Sequence, residues 1–461
     1  MSLRRLSAIG LAALFSAAAC GPGAPGTTPG GTPPGTPAGT PGGDVGTVTV
    51  GAGEPIHIGM LLVLTGPDAD LGRDAQIGAQ VAAEMAGNEI LGHPISFNPQ
   101  DDQCSAEGGT AGARALVSDP TIVAIIGTSC SSAGVPASQI ASDAGVLIVS
   151  PSATAPSLTH PDTHQPFFLR TAHNDEVQGE AMARFAREVL QVERAASVHD
   201  GSPYSEQLQQ VFRDRFQEFG GTLAGDAQAV APTDTDMRPV LTTIAANDPG
   251  LIYYPIFTAG GALMTQQARE NPDLEGVHLA GADGMQSPTF LNAAGEAAIG
   301  LFASGPDLAY AGTFYSEEFL PAYRQISGTE APLSVFHAHA FDAMNMLIQV
   351  IEQVAVESGD GSLTIDRQQL RDAFFAIEGY EGVTGNLTCD ENGDCADPKI
   401  SVSEVARISD VPNPDDCGAA SDTVCFLRVW PEEEPGGSPS PGASPGESPG
   451  ASPGESPAAS P

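Results

Sequence analysis

The sequence predicts an α/β protein made of two doubly wound parallel-sheet lobes with a hinged cleft between them. Three observations carry this. Short, continuous apolar runs at 122–126 and 146–149 read as strands buried on both faces of a parallel sheet. They alternate with segments of helical apolar spacing, as Ile77, Val81 and Met85 show, which is the pattern of βαβ units. The alternation then restarts after residues 167–170, and the roughly 375 residues between the low-complexity ends are too many for one small core.

Taken in order, residues 56–64 form a first apolar strand and 75–89 a helix. Residues 95–100 and 106–118 repeat the pair, and the strands at 122–126 and 146–149 flank a helix over 133–144. After the restart, 176–190 is helical, 195–199 a strand and 206–219 helical. Strands follow at 223–230, 251–257, 277–280 and 299–304, with helices between them. Three helical stretches come next, at 313–326, 335–355 and 366–375. Residues 385–429 are strand-like and rich in turns.

The two ends have their own logic. Met-Ser-Leu-Arg-Arg, an apolar run from Leu6 to Ala19 and small residues before Cys20 make a secretory signal over 1–19. The run is shorter than the ~20 residues that span a bilayer. Residues 21–53 are mostly Gly, Pro and Thr and lack the apolar content to fold, so they read as a tether. Such a Pro-rich tether reaches on the order of 90 Å. From 431 to 461 the chain is acidic and then repeats Ser-Pro-Gly-Ala-Ser-Pro-Gly-Glu, a disordered tail.

With 18 basic against 57 acidic residues the net charge is −39, and Lys399 is the sole lysine. That surface repels nucleic acid and anionic headgroups and carries no basic patch. No Gly-x-Gly-x-x-Gly or Walker loop follows a strand, so neither a nucleotide nor another cofactor is expected. Besides Cys20 there are six cysteines, Cys104, Cys130, Cys389, Cys395, Cys417 and Cys425. In an exported chain they read as disulfides, with fifteen pairings open. Their spacing matches no zinc knuckle or ribbon.

Ligands of parallel sheets bind at the carboxyl ends of the strands. Four stretches sit there: 127–132 (Gly-Thr-Ser-Cys-Ser-Ser), 150–154 (Ser-Pro-Ser-Ala-Thr), Phe257 with its loop, and 281–284 (Gly-Ala-Asp-Gly). The first two offer hydroxyls and helix-start N–H groups, which suit a carboxylate. Asp283 suits an ammonium, because a carboxylate buried without a cation is costly. Each also has a plainer reading. Ser131 serves as a helix cap, Thr154 as the cap of a short helix, Asp283 as the stabiliser of a glycine-flanked turn, and Tyr204 and Phe257 as core aromatics. His337 and His339 sit two apart on a helix and diverge. Asp390 to Asp394 lacks the distal Glu of a calcium loop. Gly-Thr-Ser-Cys-Ser is no nucleophile elbow, and no histidine has a recognisable supporting acid, so an enzyme is not expected.

Several stretches, in order, resemble the branched-chain amino-acid (leucine/isoleucine/valine) binding proteins, type I periplasmic binding proteins of ABC importers. They are Leu64 to Pro67 with Gly72, Asp101 to Cys104, Gly127 to Ser132, Ser150 to Thr154 and Arg170 to Ala172 with Gln178-Gly179. His199-Asp200 with Tyr204, Tyr253-Tyr254, Gln267 to Arg269, and Ala340 to Ala343 continue the series. Ala17 to Cys20 resembles a lipobox with Ala17 at the usual Leu position, which implies a lipid on Cys20 and membrane anchoring.

The resemblance implies a monomeric Venus-flytrap receptor that binds an amino acid and serves ABC permease subunits. Lobe 1 would take 54–172 and 304–385, lobe 2 would take 173–303 and 386–430, and 20–53 would be the lipid-anchored linker. It favours the disulfides Cys104–Cys130, Cys389–Cys395 and Cys417–Cys425. It implies that Ser131 binds the ligand carboxylate and that the Ser152 backbone, with Ala153 and the Thr154 hydroxyl, handles ammonium and carboxylate. Asp283 would pair with the ammonium, Tyr204 and Phe257 would cover the ligand, and Leu71 would shape the side-chain pocket. The chain departs from the family pattern at three of these positions. Phe257 stands where Tyr is common, Leu71 replaces an aromatic, and Asp283 is one methylene shorter than the usual Glu. A sensor for amides, urea or aromatic acids is the alternative on this fold.

Overall fold

The computed structural model describes residues 46–413 and 417–431. The signal, Cys20 and most of the tether and tail lie outside the described residues. No helix among the described residues is long and apolar enough to cross a membrane.

The described chain opens on β1 (Thr47–Val50), followed by β2 (Ile56–Leu62), α1 (Ala69–Met85), β3 (Glu89–Ile90), β4 (His93–Asp101) and α2 (Ala106–Val117). Next come β5 (Ile122–Gly127), α3 (Ser131–Asp143), β6 (Leu147–Ser150) and β7 (Phe168–Arg170). These build a sheet of order β3-β4-β2-β5-β6-β7, parallel except at β3. The runs at 122–126 and 146–149 are fully buried central strands, as their unbroken apolar content requires.

The second set is α4 (Asp175–Arg184), β8 (Arg194–His199), α5 (Pro203–Glu218), β9 (Thr222–Leu223), β10 (Gln228–Ala229), α6 (Arg238–Ala245) and β11 (Leu251–Tyr253). It continues with α7 (Thr258–Glu270), β12 (His278–Ala282), α8 (Pro288–Ala294) and β13 (Leu301–Pro306). The chain then adds α9 (Leu320–Ser327), α10 (His337–Val354), β14 (Val356–Glu357), β15 (Leu363–Asp366), α11 (Arg367–Phe375), β16 (Tyr380–Glu381) and β17 (Asn386–Leu387), all against the first lobe. It ends on β18 (Ile400–Arg407), β19 (Cys417–Ala420) and β20 (Val424–Trp430). The second sheet runs β10-β8-β11-β12-β13-β18-β20-β19, with β9 beside β8. It is parallel up to β13 and antiparallel beyond.

Three expectations need correction. The tether expected over 21–53 stops short of Thr47, because Thr47–Val50 pairs antiparallel with Leu363–Asp366, and Val48 and Val50 enter the first core. The single strand expected over 223–230 is two short strands, because Gly225 turns the chain at φ +88°. Residues 386–397 belong with the first lobe, not the second. Leu387, Cys389 and Cys395 lie in its core, and Asp394 bridges Arg170 on the β7 edge. That turn-rich stretch has no periodicity to assign it.

The three disulfides Cys104–Cys130, Cys389–Cys395 and Cys417–Cys425 are formed. In the second, Asp390 accepts from the N–H groups of Asn392 and Asp394 at 2.8 and 2.9 Å, so it holds a turn and not an ion.

Candidate functional site

Each sheet has one place where successive connections leave in opposite directions. In the first, β2 leads to β4 on one side and the chain returns as β5 on the other. The crevice between β2 and β5 is therefore the topological switch point. Leu61 lies opposite Gly127 there. A Cβ on Gly127 would meet the Leu61 carbonyl oxygen at 2.1 Å, so only glycine lets the following loop begin. In the second sheet β8 is the pivot, with β10 on one side and β11 on the other. Tyr204 sits at the start of α5 just after β8, Phe257 precedes α7 after β11, and Asp283 follows β12.

The first wall is built from backbone and hydroxyls. Ser129 accepts from the Val63 N–H at 3.0 Å and donates its own N–H to buried Asp102 at 2.9 Å. The Cys104–Cys130 bridge ties this loop to the 102–104 turn. Helix α3 starts with Cys130 at its N-cap and no side-chain cap, so the capping role open to Ser131 is not taken. Instead the Ser131 hydroxyl accepts from the Ala155 N–H at 3.1 Å and fastens the two loops together.

The Ser152 hydroxyl donates to the Ser129 carbonyl at 3.0 Å. Ala153 is engaged on both sides: its N–H goes to the Ser150 hydroxyl at 2.9 Å and its carbonyl accepts from Arg170 at 3.2 Å. Thr154 caps nothing. Its carbonyl accepts the Asp175 N–H at 3.0 Å, and its buried hydroxyl has no partner at hydrogen-bonding geometry. Arg170, wholly buried, is the clamp behind this wall. It pairs with Asp394, donates to Ala155 O at 2.9 Å and to the Thr159 hydroxyl at 2.6 Å. Burial pushes the Asp394 carboxyl up, but the Arg170 charge and the bonds from Arg170, Asn174 and Thr159 hold it below the usual range.

The second wall is acidic. Asp283 is 4% exposed, and its Oδ1 accepts from the Gln178 amide at 2.6 Å and from the Tyr204 hydroxyl at 3.0 Å. Both donors reach the same oxygen, which leaves Oδ2 for another partner. Burial pushes this carboxyl up to about 6, against the pull of Gln178 and Tyr204. Gly284 donates its N–H to the Tyr204 oxygen at 3.3 Å, where a Cβ would press on that oxygen.

The Tyr204 and Phe257 rings pack at 5.2 Å between centroids. Gln178 is oriented from behind. Its amide nitrogen also reaches the Ser304 carbonyl at 3.1 Å, and its oxygen faces His173 Nε2, so His173 is the donor of that bond. Burial lowers His173 to about 4, which keeps the ring neutral. Beside Asp283 lies Asp175, wholly buried, with neither carboxylate oxygen at hydrogen-bonding geometry to a partner. Burial and then the Asp283 charge raise its pKa well above the usual range, and the nearby Thr154 hydroxyl opposes this.

The two walls meet. Thr258 N–H, the first of α7, donates to Asp68 Oδ1 at 3.1 Å. Thr289 donates N–H and hydroxyl to Asp70 Oδ2 at 3.2 and 2.6 Å. Gln207 and Ser157 exchange two bonds of 2.9 Å. Between the lobes, Val63, Leu71, Cys130, Val335 and Phe336 of the first form one apolar cluster against Phe257 of the second. Leu71, Asp283 and Gly284 line one small cavity at this junction.

Thus Asp283, Tyr204, Phe257 and Leu71 are brought together, and Asp283 reaches Thr154 through Asp175. Ser131 and Ala153 hold the loops. Among the described residues no three His, Cys, Asp or Glu side chains gather as a metal site. Sequence reasoning missed Asp68, Asp70 and Asp175, and it passed over the role of Gln178. The usable signal was position: Asp68 and Asp70 stand at the start of the helix after β2, and Asp175 opens the helix after β7.

A family model described as periplasmic binding protein matches residues 55–406. The Leu/Ile/Val-binding protein homolog 3 of Brucella melitensis is 26% identical over 350 residues, which cover 75% of this chain and 90% of that protein. A branched-chain amino acid transporter substrate-binding protein of Streptococcus pneumoniae, solved with isoleucine, shares the fold with a TM-score of 0.66 at 22% identity. The match covers 82% of this chain and 100% of that one. A solute-binding protein of R. palustris solved with 4-hydroxybenzoate does so with a TM-score of 0.69 at 16% identity, covering 82% and 96%. The Streptococcus pneumoniae and R. palustris neighbours are substrate- or solute-binding proteins of transporters. The chain belongs to the periplasmic binding protein family, among the type I proteins of the branched-chain amino-acid binding group.

Proposed function

We propose that this protein is the lipid-anchored receptor of an ABC importer and that it binds a free α-amino acid, branched-chain or related, between its lobes. The observation that carries the reading is Asp283. It is a buried carboxylate with one oxygen held by Gln178 and Tyr204, and on the first lobe helix α3 starts without a side-chain cap. A zwitterion complements that polarity: its ammonium meets Asp283, and its carboxylate meets the α3 N-terminus and the Thr154 hydroxyl. Ligand contacts from both lobes favour the closed arrangement, since only that arrangement makes them all. Cleavage before Cys20 and acylation there would leave the lobes on a tether outside the cytoplasm, as a single chain docking on permease subunits.

The neighbour solved with 4-hydroxybenzoate supports a second reading, an aromatic-acid receptor. Asp283 and Asp175 argue against it, because an aromatic acid brings no cation to them.

A thermal-shift screen of the mature chain with the common amino acids and with benzoates separates the two. A ligand at a hundredfold excess over its Kd stabilises the fold by about 2.7 kcal/mol. At least one α-amino acid is expected to raise the Tm, and Asp283→Asn is expected to remove the effect. A shift with benzoates alone, or with no α-amino acid, overturns the reading.

A further inference from the structure

The segments that cross between the lobes enclose a second small cavity, distinct from the one at the lobe junction. Residues 171–173 lead from β7 to α4, 306–310 leave β13 for the first lobe, and 396–399 return to β18. All three line the cavity, together with His339 of α10. Thr171 ties the first crossing to that helix by donating its hydroxyl to the His339 carbonyl at 2.9 Å.

The charges around this hinge cavity are paired with one another. Asp307 accepts from Arg428 at 2.9 and 3.0 Å, and Lys399 meets Asp397 at 2.9 Å. Neutral polar atoms are what remain. His173 and His339 are 2% and 6% exposed. Both Nδ1 atoms and the buried Tyr310 hydroxyl have no hydrogen-bond partner among the described residues. Burial keeps both rings neutral, lowering His173 to about 4 and His339 well below its ordinary value. An ion would find no free countercharge here. A buried water makes about two to four bonds, and three unpartnered polar groups border a cavity about the size of one water.

His173 gives that water a consequence for the cleft. Gln178 donates its amide nitrogen to Asp283 and to the Ser304 carbonyl, so its oxygen is the atom that faces His173 Nε2. That oxygen only accepts, so the His173 proton sits on Nε2 and Nδ1 carries a lone pair. The tautomer of a histidine is set by the bond its other nitrogen makes. A water donating to Nδ1 holds the proton on Nε2. A proton moved to Nδ1 would set two acceptors against each other and leave the Gln178 amide free to turn its oxygen toward the carboxylate.

We propose that the hinge cavity binds one ordered water that donates to His173 Nδ1, and that His173 is a positioning residue that acts through Gln178 on the Asp283 carboxylate. The relay runs from the hinge to the acid and does not depend on which ligand that acid meets.

A crystal structure of the mature protein tests the site. Ordered water is expected about 2.6–3.2 Å from His173 Nδ1 and from His339 Nδ1 or the Tyr310 hydroxyl. A cavity without water density, an ion in it, or a water out of reach of His173 overturns the site.

The relay is tested on the ligand-free protein by following the Asp283 carboxyl carbon by NMR against pH, assigned with Asp283→Asn. The Gln178 bond lowers the Asp283 pKa, so loosening it raises the proton affinity of that carboxylate. His173→Leu keeps the bulk and loses the donor, and the affinity is expected to rise about threefold to tenfold. His173→Gln places an N–H where Nε2 stood and is expected to restore the original value. Tyr310→Phe leaves every protein contact of His173 in place and removes one partner of the water, with an expected rise of about twofold to threefold. It decides the matter even where His173→Leu does not fold. Equal changes in His173→Leu and His173→Gln overturn the donor role, and no change in Tyr310→Phe overturns the link through water. No ligand is used, so failure here leaves the amino-acid reading standing.

Discussion

At the scale of single residues, the site is a contest between burial and partners. Arg170 wins that contest: its guanidinium is wholly buried, yet Asp394 and the oxygens of Ala153, Ala155 and Thr159 surround it. Those same contacts fix the 153–155 loop from behind. Arg170→Met removes the charge, strands Asp394 beside Thr159 and frees the loop. A loss of about 3–5 kcal/mol in denaturant unfolding is expected, since one member of a buried pair is left alone. Asp394→Asn is expected to cost less, because an amide still accepts from Arg170 and Thr159.

Asp283 is the opposite case. Its folded pKa, about 6, lies above the ordinary 3.8, so between those values the folded state holds more protons than the unfolded one. Its ionisation therefore costs stability as pH rises through that window, and the cost is complete above it. Asp283→Asn should raise the Tm of the ligand-free protein at pH 8, and the gain should fade below pH 4.

At the scale of elements, helix starts do the joining. Helix α7 has Phe257 at its N-cap and no side-chain cap, so its first N–H looks outward and finds Asp68 on the other lobe. Helix α8 is capped by Ser287, and Asp70 takes the Thr289 N–H beside it. Carboxylates at helix N-termini contribute about 0.3–1 kcal/mol each when exposed. Thr289→Val removes one hydroxyl bond to Asp70 without touching the cavity lining. Ligand dissociation should then quicken two- to fivefold (about 0.3–1 kcal/mol) with little change in association, read by stopped-flow fluorescence.

None of these links is legible in the sequence, because the partners are 190 and 219 residues apart. What was legible is local. Unbroken apolar runs gave the buried strands, loops at strand ends pointed to Phe257 and Asp283, and Tyr204 came only from the family resemblance. Ser131 was placed between a strand and a helix start, and it opens α3, but its hydrogen bond to Ala155 depends on the side-by-side placement of β5 and β6. Thr47–Val50 was missed because its Gly- and Thr-rich setting hides a strand whose partner, Leu363–Asp366, comes more than three hundred residues later.

At the scale of the whole molecule, charge and closure are linked through the buried acids. Burial raises Asp102 to about 7 and Asp283 and Asp342 to about 6, and it raises Asp68 and Asp175 as well. Every one of these groups costs stability as pH rises through the range above 3.8, and the net charge of −39 adds self-repulsion in the same direction. Asp394 and Asp101 are held low, so their stabilisation disappears only below the ordinary carboxylate range. The ligand-free protein should therefore melt at its highest temperature between about pH 4 and 6.

Ligand binding has the reverse slope. An ammonium on Asp283 requires the carboxylate, and a group with a pKa of about 6 is mostly ionised at pH 7 and mostly protonated at pH 5. Affinity should fall about tenfold from pH 7 to pH 5, while the ligand-free Tm rises over the same interval. Calorimetric titration across that range, paired with melting curves, reads both slopes at once. In Asp283→Asn the affinity is low throughout and its pH dependence is lost, whereas the rise in ligand-free Tm is reduced only by the share of one carboxyl. Affinity that stays constant from pH 7 to 5 would show that the ligand places no cation on Asp283.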